Sequence, residues 1–168
     1  MPPPLDFPES HYLLHAVGWL ELGNCTEAKA ELNQLKEELQ SHPDVLEVRW
    51  AICAEGKEWQ EGLEAARTLL RVAPERASGW LHQAYALRRV AGGGLEQAWQ
   101  ALLPASKKFP DVEMIAYNLS CYACQMNLMD AARNWFKRAF ALGDKEQIRQ
   151  RALKDDDLAP LWPEIKVL

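Results

Sequence analysis

Four segments of this chain end on a small residue: Thr26-Glu27-Ala28, Gln60-Glu61-Gly62, Glu96-Gln97-Ala98 and Asp130-Ala131-Ala132. The small residues lie 34, 36 and 34 positions apart. A nearly constant period of this length predicts one supersecondary unit copied along the chain. The two additional residues of the third copy coincide with Gly92-Gly93-Gly94, where a turn tolerates an insertion.

Each unit is predicted to be a pair of helices. Apolar residues recur at three- and four-residue spacing through most of the chain, which indicates amphipathic helices. Glycine or proline interrupts this pattern at most of the breaks, since both residues stop helices. The breaks are Leu22-Gly23-Asn24, Ser41-His42-Pro43, Gly56-Lys57, Ala73-Pro74, Gly92-Gly93-Gly94, Phe109-Pro110, Met126-Asn127 and Leu142-Gly143-Asp144. They delimit eight helices of roughly 12 to 16 residues and a short terminal one.

The period and the residues at matching positions resemble the tetratricopeptide-repeat family. The fourth repeat matches best, through Tyr117-Asn118-Leu119-Ser120, Ala132, Phe136 and Ala139. Two positions depart from the family pattern. Trp50 stands where the family has a small residue, which leaves the register of that helix open. Pro43 comes three residues later than the period predicts, so the second helix of the first repeat is expected to be about one turn longer.

The resemblance implies an all-α fold, an α-solenoid of about four helix–turn–helix repeats with a C-terminal capping helix. Residues 1–8 are predicted to be a flexible, proline-rich lead-in, because consecutive prolines favour an extended chain. The repeats are expected at about 9–43, 44–76, 77–112 and 113–144, together 9–144. Residues 145–168 are expected to form the capping helix and tail.

The capping region offers sequence features of its own. Asp144 is a plausible N-cap for the helix that follows it. Leu158, Leu161 and Trp162 are expected to pack against the last repeat. Ala141-Leu142-Gly143-Asp144 together with the tail resembles the ending of many bacterial proteins of this type.

The charge distribution argues against nucleic acid as a partner. The net charge is -5, and residues 1–44 hold eight acidic and two basic residues. Binding to phosphates requires a basic stripe, and pairs such as Arg88-Arg89 near an aromatic residue are too short to form one. The sequence also has no apolar run of about 18 residues that could span a membrane. Its N-terminus lacks the basic start and apolar core of a secretory signal, so a cytoplasmic protein is expected.

No set of residues predicts catalysis, a metal site or a cofactor. Cys121 and Cys124 form a Cys-x-x-Cys, which in other contexts is a redox pair or half of a zinc site. Here no second Cys-x-x-Cys or nearby histidine completes a zinc site, and no βαβ pattern supports a redox motif. His11 and His15 lie one helical turn apart, without the glutamate and third ligand of a zincin. We therefore predict that the chain is not an enzyme, with a redox role of the cysteine pair as a weak alternative.

The resemblance also implies a binding surface. In this family the first helices of the repeats line a concave groove, and fixed positions of each first helix point into it. The corresponding residues are Leu13, Val17, Glu21, Glu47, Glu55, His82, Tyr85, Arg88, Arg89, Tyr117, Asn118, Cys121 and Gln125. The groove would change from acidic and apolar in the first two repeats to basic and aromatic in the last two, with Tyr85 and Tyr117 as anchors.

These observations predict a protein–protein interaction module or adaptor that binds a peptide or partner protein in this groove. The alternative from another class is a structural or self-associating protein, in which a second copy covers the groove or an exposed end to form a homodimer. Function expected from a fold is an analogy, because solenoids bind many unrelated partners.

Overall fold

The structure is a computed structural model, and it describes residues 5–168. Residues 1–4, the first part of the predicted lead-in, lie outside the described residues. All regular secondary structure in the described part is helical, as the predicted fold class requires. None of its helices is long and apolar enough to cross a membrane. The chain forms two compact units, of which the first ends at Ala91 and the second runs from Gly92 to Leu168.

The first unit contains five α-helices. They are α1 (Glu9–Glu21), α2 (Cys25–Leu32), α3 (Pro43–Glu55), α4 (Trp59–Val72) and α5 (Ala77–Leu87), with a short 3₁₀ helix at Glu37–Leu39. Helix α1 packs on α2, and α4 packs on both α3 and α5. Helix α3 also touches α1 and α5, so α1, α3 and α5 are neighbours. This is the helix–turn–helix pairing that the sequence period predicts.

The small residues of the period lie where the paired helices cross. Ala16 of α1 and Ala28 of α2 are fully buried in one cluster with Leu32, Val45 and Ile52. Close helix crossings need small side chains because the interaxial distance there is short. Around the crossings, each large apolar side chain that is removed from water stabilises the fold by about 1.5–3 kcal/mol.

Trp50 lies directly beside Gly62 of α4. An ideal Cβ on Gly62 would lie 3.7 Å from Cδ1 of the Trp50 ring and 3.4 Å from Cβ of Cys53, which are ordinary contact distances. The indole therefore packs closely on this part of α4. Trp50 packs partly buried against the cluster of Leu46, Ala65, Leu69 and Ala73.

Helix α2 differs from the prediction that it is about one turn longer. It ends at Leu32, and Lys36 is extended, with φ −56° and ψ 151°. The side-chain amide of Gln40 donates to the carbonyl oxygens of Leu32 and Leu35, at 3.0 and 2.8 Å. Carbonyl groups at a helix end need such partners. The residues before Pro43 thus form a turn that closes the end of α2, and the prediction of a longer helix was wrong.

The second unit contains the remaining helices. They are α6 (Leu95–Leu102), α7 (Ala105–Lys108), α8 (Glu113–Gln125), α9 (Met129–Leu142), α10 (Lys145–Ala152) and α11 (Trp162–Ile165), with a 3₁₀ helix at Asp156–Leu161. Pro104 separates α6 from α7, where the sequence pattern predicted a single helix. Proline has no N–H to donate to the preceding turn, so the helix is interrupted there. Helix α8 packs on α9 and contacts α6 and α7.

The C-terminal residues cover one side of the second unit. Asp144 caps α10, as predicted, because its carboxylate accepts a hydrogen bond from the backbone N–H of Gln147 at 2.9 Å. The 3₁₀ helix at Asp156–Leu161 packs on α8. Leu158, Leu161 and Ile165 are buried, and the Trp162 indole donates to the carbonyl oxygen of Ala152 at 2.8 Å. The tail is therefore part of the core of this unit.

Candidate functional site

An open groove runs between α1 and α3 in the first unit. It has a volume of about 600 Å³. Its lining residues are Ser10, Leu13, Leu14, Val17, Leu20, Asp44, Glu47, Val48 and Ala51. Leu13, Val17 and Glu47 of the predicted site are thus brought together on one surface. The walls are mainly apolar, and Ser10, Asp44 and Glu47 supply the polar atoms.

The polar side of this groove is held by a hydrogen-bonded network. The Arg76 guanidinium lies 2.7 Å from the Asp44 carboxylate and 3.3 Å from that of Glu47. The Ser78 hydroxyl donates to Glu47 at 2.6 Å. Burial lowers the pKa of Arg76, but the hydrogen bond to Asp44 and the charges of both carboxylates outweigh it and raise the pKa. The two carboxylates are therefore fixed in place before any ligand arrives.

An aromatic cluster lies on α3, α4 and α5 of the same unit. The rings of Trp50 and His82 stack with centroids 3.7 Å apart and planes 4° apart. Tyr85 meets Trp50 edge-on and Trp59 at a tilt, each with centroids 5.8 Å apart. The Arg89 guanidinium lies 3.6 Å from the Tyr85 ring centroid and 5.2 Å from that of Trp59. Tyr85 is 36% exposed, so this cluster presents an aromatic side chain and a cation to solvent.

His82 is a neutral member of that cluster. Burial lowers the pKa of its imidazole to about 4, although the Glu47 charge acts in the opposite direction. Its Nδ1 is buried and has no hydrogen-bond partner in the described part of the chain. The positive charge predicted for this region thus belongs to Arg89 and to Arg88, which directly follows α5. A cation placed after the last turn of a helix is favoured by the partial negative charge there.

The predicted residues of the second unit face their own chain. Tyr117 is buried, and its hydroxyl donates to Asp155 at 3.0 Å. The Cys121 thiol lies 3.6 Å from the same carboxylate oxygen, and the Gln125 amide donates to the carbonyl oxygen of Asp157 at 3.0 Å. The C-terminal segment therefore covers this side of α8. Asn118 instead donates to the carbonyl oxygen of Met114, one turn earlier, at 2.9 Å.

Two groups of side chains in the described residues bring three potential metal ligands within 4.8 Å of one another. Cys53, Glu58 and Glu61 form the first, but burial raises the pKa of the Cys53 thiol to about 11, and Lys29 pairs with both glutamates. Cys121, Asp155 and Asp157 form the second. The hydrogen bonds that Asp155 accepts from Tyr117 and from its own chain account for this proximity.

The cysteine pair is shielded from solvent. Cys121 and Cys124 are both buried, and no disulfide links them. Burial raises the pKa of Cys124, and the charges of Asp157 and Asp155 act in the same direction. A high pKa keeps the sulfur as a thiol, which is the unreactive form.

Several residues of the α1–α3 groove were not predicted from the sequence. They are Ser10, Leu14, Leu20, Asp44, Val48 and Ala51. Asp44 lies three residues before Glu47 and Ala51 four residues after it on α3, so helical spacing from Glu47 could have identified both. Val48 lies one turn before Ala51 and one turn after Asp44.

Comparison with known proteins identifies the fold. No protein-family model matches this sequence, and no curated protein matches it significantly. The structure is similar to a thermophilic TPR protein from Thermus thermophilus, with a TM-score of 0.75 and 22% identity over 94% of this chain and 82% of that one. It also resembles a MamA RS-1 double mutant, with a TM-score of 0.68 and 15% identity over 80% of this chain and 75% of that one. It resembles MamA AMB-1 as well, with a TM-score of 0.65 and 15% identity over 98% of this chain and 93% of that one.

These similarities confirm the tetratricopeptide-repeat fold predicted from the sequence. The chain is all-α and matches solved structures of this solenoid type. The identities are low, so the likeness extends to the fold and not to a particular partner.

Proposed function

We propose that this chain is a protein-interaction module that binds a peptide or a partner segment on the surface formed by α1, α3 and α5. The observation that carries the proposal is the open apolar groove between α1 and α3, which residues 5–168 leave unfilled. A contiguous apolar groove with a few fixed polar groups is the usual form of a binding site.

The groove favours a ligand with apolar side chains. Val17, Val48 and Ala51 would contact them along the walls. Asp44 and Glu47 are already oriented by Arg76 and Ser78. Their oxygen atoms could accept hydrogen bonds from ligand N–H groups without losing side-chain entropy at that moment.

The aromatic cluster supplies a second contact of the proposed site. Tyr85, with Arg89 lying over its ring, combines the residue types that dominate binding energy in protein interfaces. His82 and Arg88 are proposed to flank this contact. Tyr117, Asn118 and Gln125 are not assigned to it, because Tyr117 and Gln125 contact the C-terminal segment and Asn118 contacts its own helix.

The proposal describes a binding protein and not an enzyme, working without a cofactor in the cytoplasm of a bacterium. The fold shared with a TPR protein supports a binding role. The cysteines form no disulfide with one another, which suits a reducing compartment. The bacterial source is supported by the resemblance of the chain ending. Nucleic acid and membrane are not proposed as partners, because the first quarter of the sequence is acidic.

A substitution that fills the groove tests this function. Ala51→Gln would place a longer, uncharged side chain in the groove while keeping a good helix former on α3. Ala141→Gln, on an exposed position of α9, is the matched control. Partners captured from lysate by the wild type would be identified, and the dissociation constant of the tightest one measured for all three proteins.

We expect Ala51→Gln to weaken binding about tenfold or more, which is about 1.4 kcal/mol, with Ala141→Gln unchanged. Circular dichroism would establish that both variants keep their helices. Equal binding by the three proteins would remove the groove from the site.

The second candidate function is self-association into a homodimer. The observation that favours it is the exposure of Leu14, at 65%, on the wall of the groove. Light scattering distinguishes the two functions, because a stable dimer that Ala51→Gln dissociates would mean that the groove binds a second copy.

A further inference from the structure

Helix α1 carries an apolar surface beside the α1–α3 groove that no other part of the described chain covers. Ala16 is the single buried residue of this 13-residue helix, whereas α8, also of 13 residues, buries nine. Leu14 is 65% exposed, Leu22 77% and Trp19 36%. Among the described residues, no helix covers this surface. Single exposed apolar residues are ordinary, but a contiguous patch marks a contact surface.

The patch has the shape of a shallow depression. Its volume is about 530 Å³, and its lining includes Leu14, His15, Gly18, Trp19, Leu22 and Glu31. A Cβ on Gly18 would meet nothing within 4 Å. Gly18 therefore leaves space through which another backbone can approach α1 closely. We call the surface of Leu14, Gly18, Trp19 and Leu22 the outer face of α1.

An α-helix matches these dimensions. Helix α1 has 13 residues and is therefore about 20 Å long. Helices pack with axes about 8–10 Å apart and need small residues at the closest contact, which Gly18 provides. In a repeat array each helix pair buries its apolar side against the next pair. The outer face of α1 is an apolar surface of the kind that a helix of a further pair would cover.

The charge of this region decides which helix fits. Glu21 and Glu31 border the depression. Residues 1–28 contain four acidic residues and neither lysine nor arginine. Lys29 pairs with Glu58 and Glu61, and Lys36 pairs with Glu9 at 2.7 Å. The nearest positive group is the His15 ring, with Nδ1 3.7 Å from the Glu31 carboxylate, and it is charged only when protonated.

The same charges disfavour a second copy of this chain as the occupant. Two copies that meet through their outer faces would bring Glu21 and Glu31 of one against an equally acidic region of the other. Like charges placed together across an interface oppose association. A partner with lysine or arginine beside its apolar stripe would instead neutralise these carboxylates.

We propose that the outer face of α1 docks an amphipathic helix of a partner protein, with apolar residues at i, i+3, i+4 and i+7 and lysine or arginine along their edges. The apolar stripe covers Leu14, Trp19 and Leu22, and the basic edge meets Glu21 and Glu31. This surface adjoins the α1–α3 groove and shares Leu14 and Val17 with it. Gly18, Trp19 and Leu22 line only the outer face, so substitutions at these positions distinguish the two.

Two synthetic helical peptides test the proposal with the full chain. Both have about 18 residues and the same leucine stripe, and their flanking positions are all lysine in one and all glutamate in the other. Each carries a fluorescent label, and its binding is measured by anisotropy at low and high salt. We expect the lysine peptide to bind at least about tenfold more tightly than the glutamate peptide, and its affinity to fall with salt.

Variants assign the binding to the outer face. Gly18→Gln fills the depression and replaces glycine by a better helix former, and Leu22→Gln removes an exposed apolar side chain. Each substitution should weaken the binding of the lysine peptide by about tenfold or more. Leu142→Gln, at the exposed end of α9, is the matched control and should change nothing. Glu21→Gln combined with Glu31→Gln should reduce both the affinity and its salt dependence.

Several outcomes would overturn the proposal. Equal affinity for the two peptides would mean that charge does not select the partner. Equal loss in the Leu142→Gln control would mean that the outer face is not the site. A dimer in sedimentation that Gly18→Gln dissociates would make a second copy the occupant. Ala51→Gln should leave the lysine peptide unaffected, so failure of the groove and failure of the outer face are distinguishable.

Discussion

The indole ring of Trp50 stacks on the imidazole ring of His82, with centroids 3.7 Å and planes 4° apart. Trp50 lies on α3 and His82 on α5, so the stack joins the first helices of two successive repeats. It also places a large residue at a position where the repeat pattern has a small one, and the indole packs beside Gly62 of α4.

The stack should contribute measurably to stability. In a double-mutant cycle of Trp50→Leu and His82→Leu, we expect a coupling free energy of about 1 kcal/mol, since stacked aromatic pairs contribute about 0.5–1.5 kcal/mol. Urea denaturation of the four proteins measures it. The pair Trp50→Leu and His11→Leu serves as a control, because His11 contacts Phe7 and His15 instead. Additive effects in the first cycle would show that the coupling free energy between Trp50 and His82 is zero.

The same histidine should make stability depend on pH. Burial lowers the pKa of folded His82 to about 4 from 6.5, so the unfolded chain takes up a proton first as the pH falls. The contribution of His82 to the free energy of unfolding is therefore fully present above about pH 6.5 and is lost as the pH falls towards 4. The loss is about 2 kcal/mol between pH 7.5 and 5. His82→Gln should lack this component in urea denaturation at several pH values, and His11→Gln should keep it. An unchanged slope in His82→Gln would contradict the prediction.

A side chain at Gly143 should destabilise the fold, because it would displace two neighbouring side chains. A Cβ there would lie 2.7 Å from Cδ1 of Ile148 and 3.0 Å from Cγ of Glu113, and Ile148 is buried. We expect Gly143→Ala to cost about 1–3 kcal/mol in thermal or urea unfolding. Gly56→Ala is the control, because its nearest contact would be an ordinary 3.4 Å. Similar stability of both variants would argue against the clash.

The hydrogen bond between Tyr117 and Asp155 should hold the C-terminal segment on α8. Tyr117→Phe removes the donor that lies 3.0 Å from the carboxylate. Hydrogen bonds to charged groups contribute about 1.5–3 kcal/mol, so we expect a loss in this range and faster amide exchange within residues 153–162. Tyr85→Phe, a substitution at an exposed ring, should leave exchange there unchanged. Protection of the segment that survives Tyr117→Phe would indicate that Leu158 and Leu161 alone secure it.

The four thiols should differ in reactivity. Burial raises the pKa of Cys53 to about 11 and also raises that of Cys124, while Cys25 is only partly buried. Thiols that stay protonated and covered react slowly. With a disulfide reagent at neutral pH, we expect one fast label at Cys25 and the other three only on unfolding. A Cys25→Ser variant should lose the fast phase. Rapid formation of a Cys121–Cys124 disulfide would revive the redox alternative.

The sequence predicted the helical repeat correctly because its signals are local. Small residues recur with the period, and Ala28, Ala98 and Ala132 are fully buried. The Asp144 cap was also predicted, since it depends on one side chain and the helix beginning beside it. The end of α2 was missed, because it is closed by the Gln40 amide, whose position depends on the turn that follows. The helix break at Pro104 was also not predicted, because the apolar pattern continues on both sides of this proline.

The sequence alone thus determined that the chain is a series of paired helices and where most of the turns lie. The tertiary structure decided which apolar faces remain open. Leu14 and Leu22 of α1 are exposed, whereas Tyr117 of α8, predicted for the same kind of surface, is covered by the segment that includes Asp155. The physical reason is that helical spacing fixes the side of a helix on which a residue lies, while burial depends on residues distant in sequence that pack there.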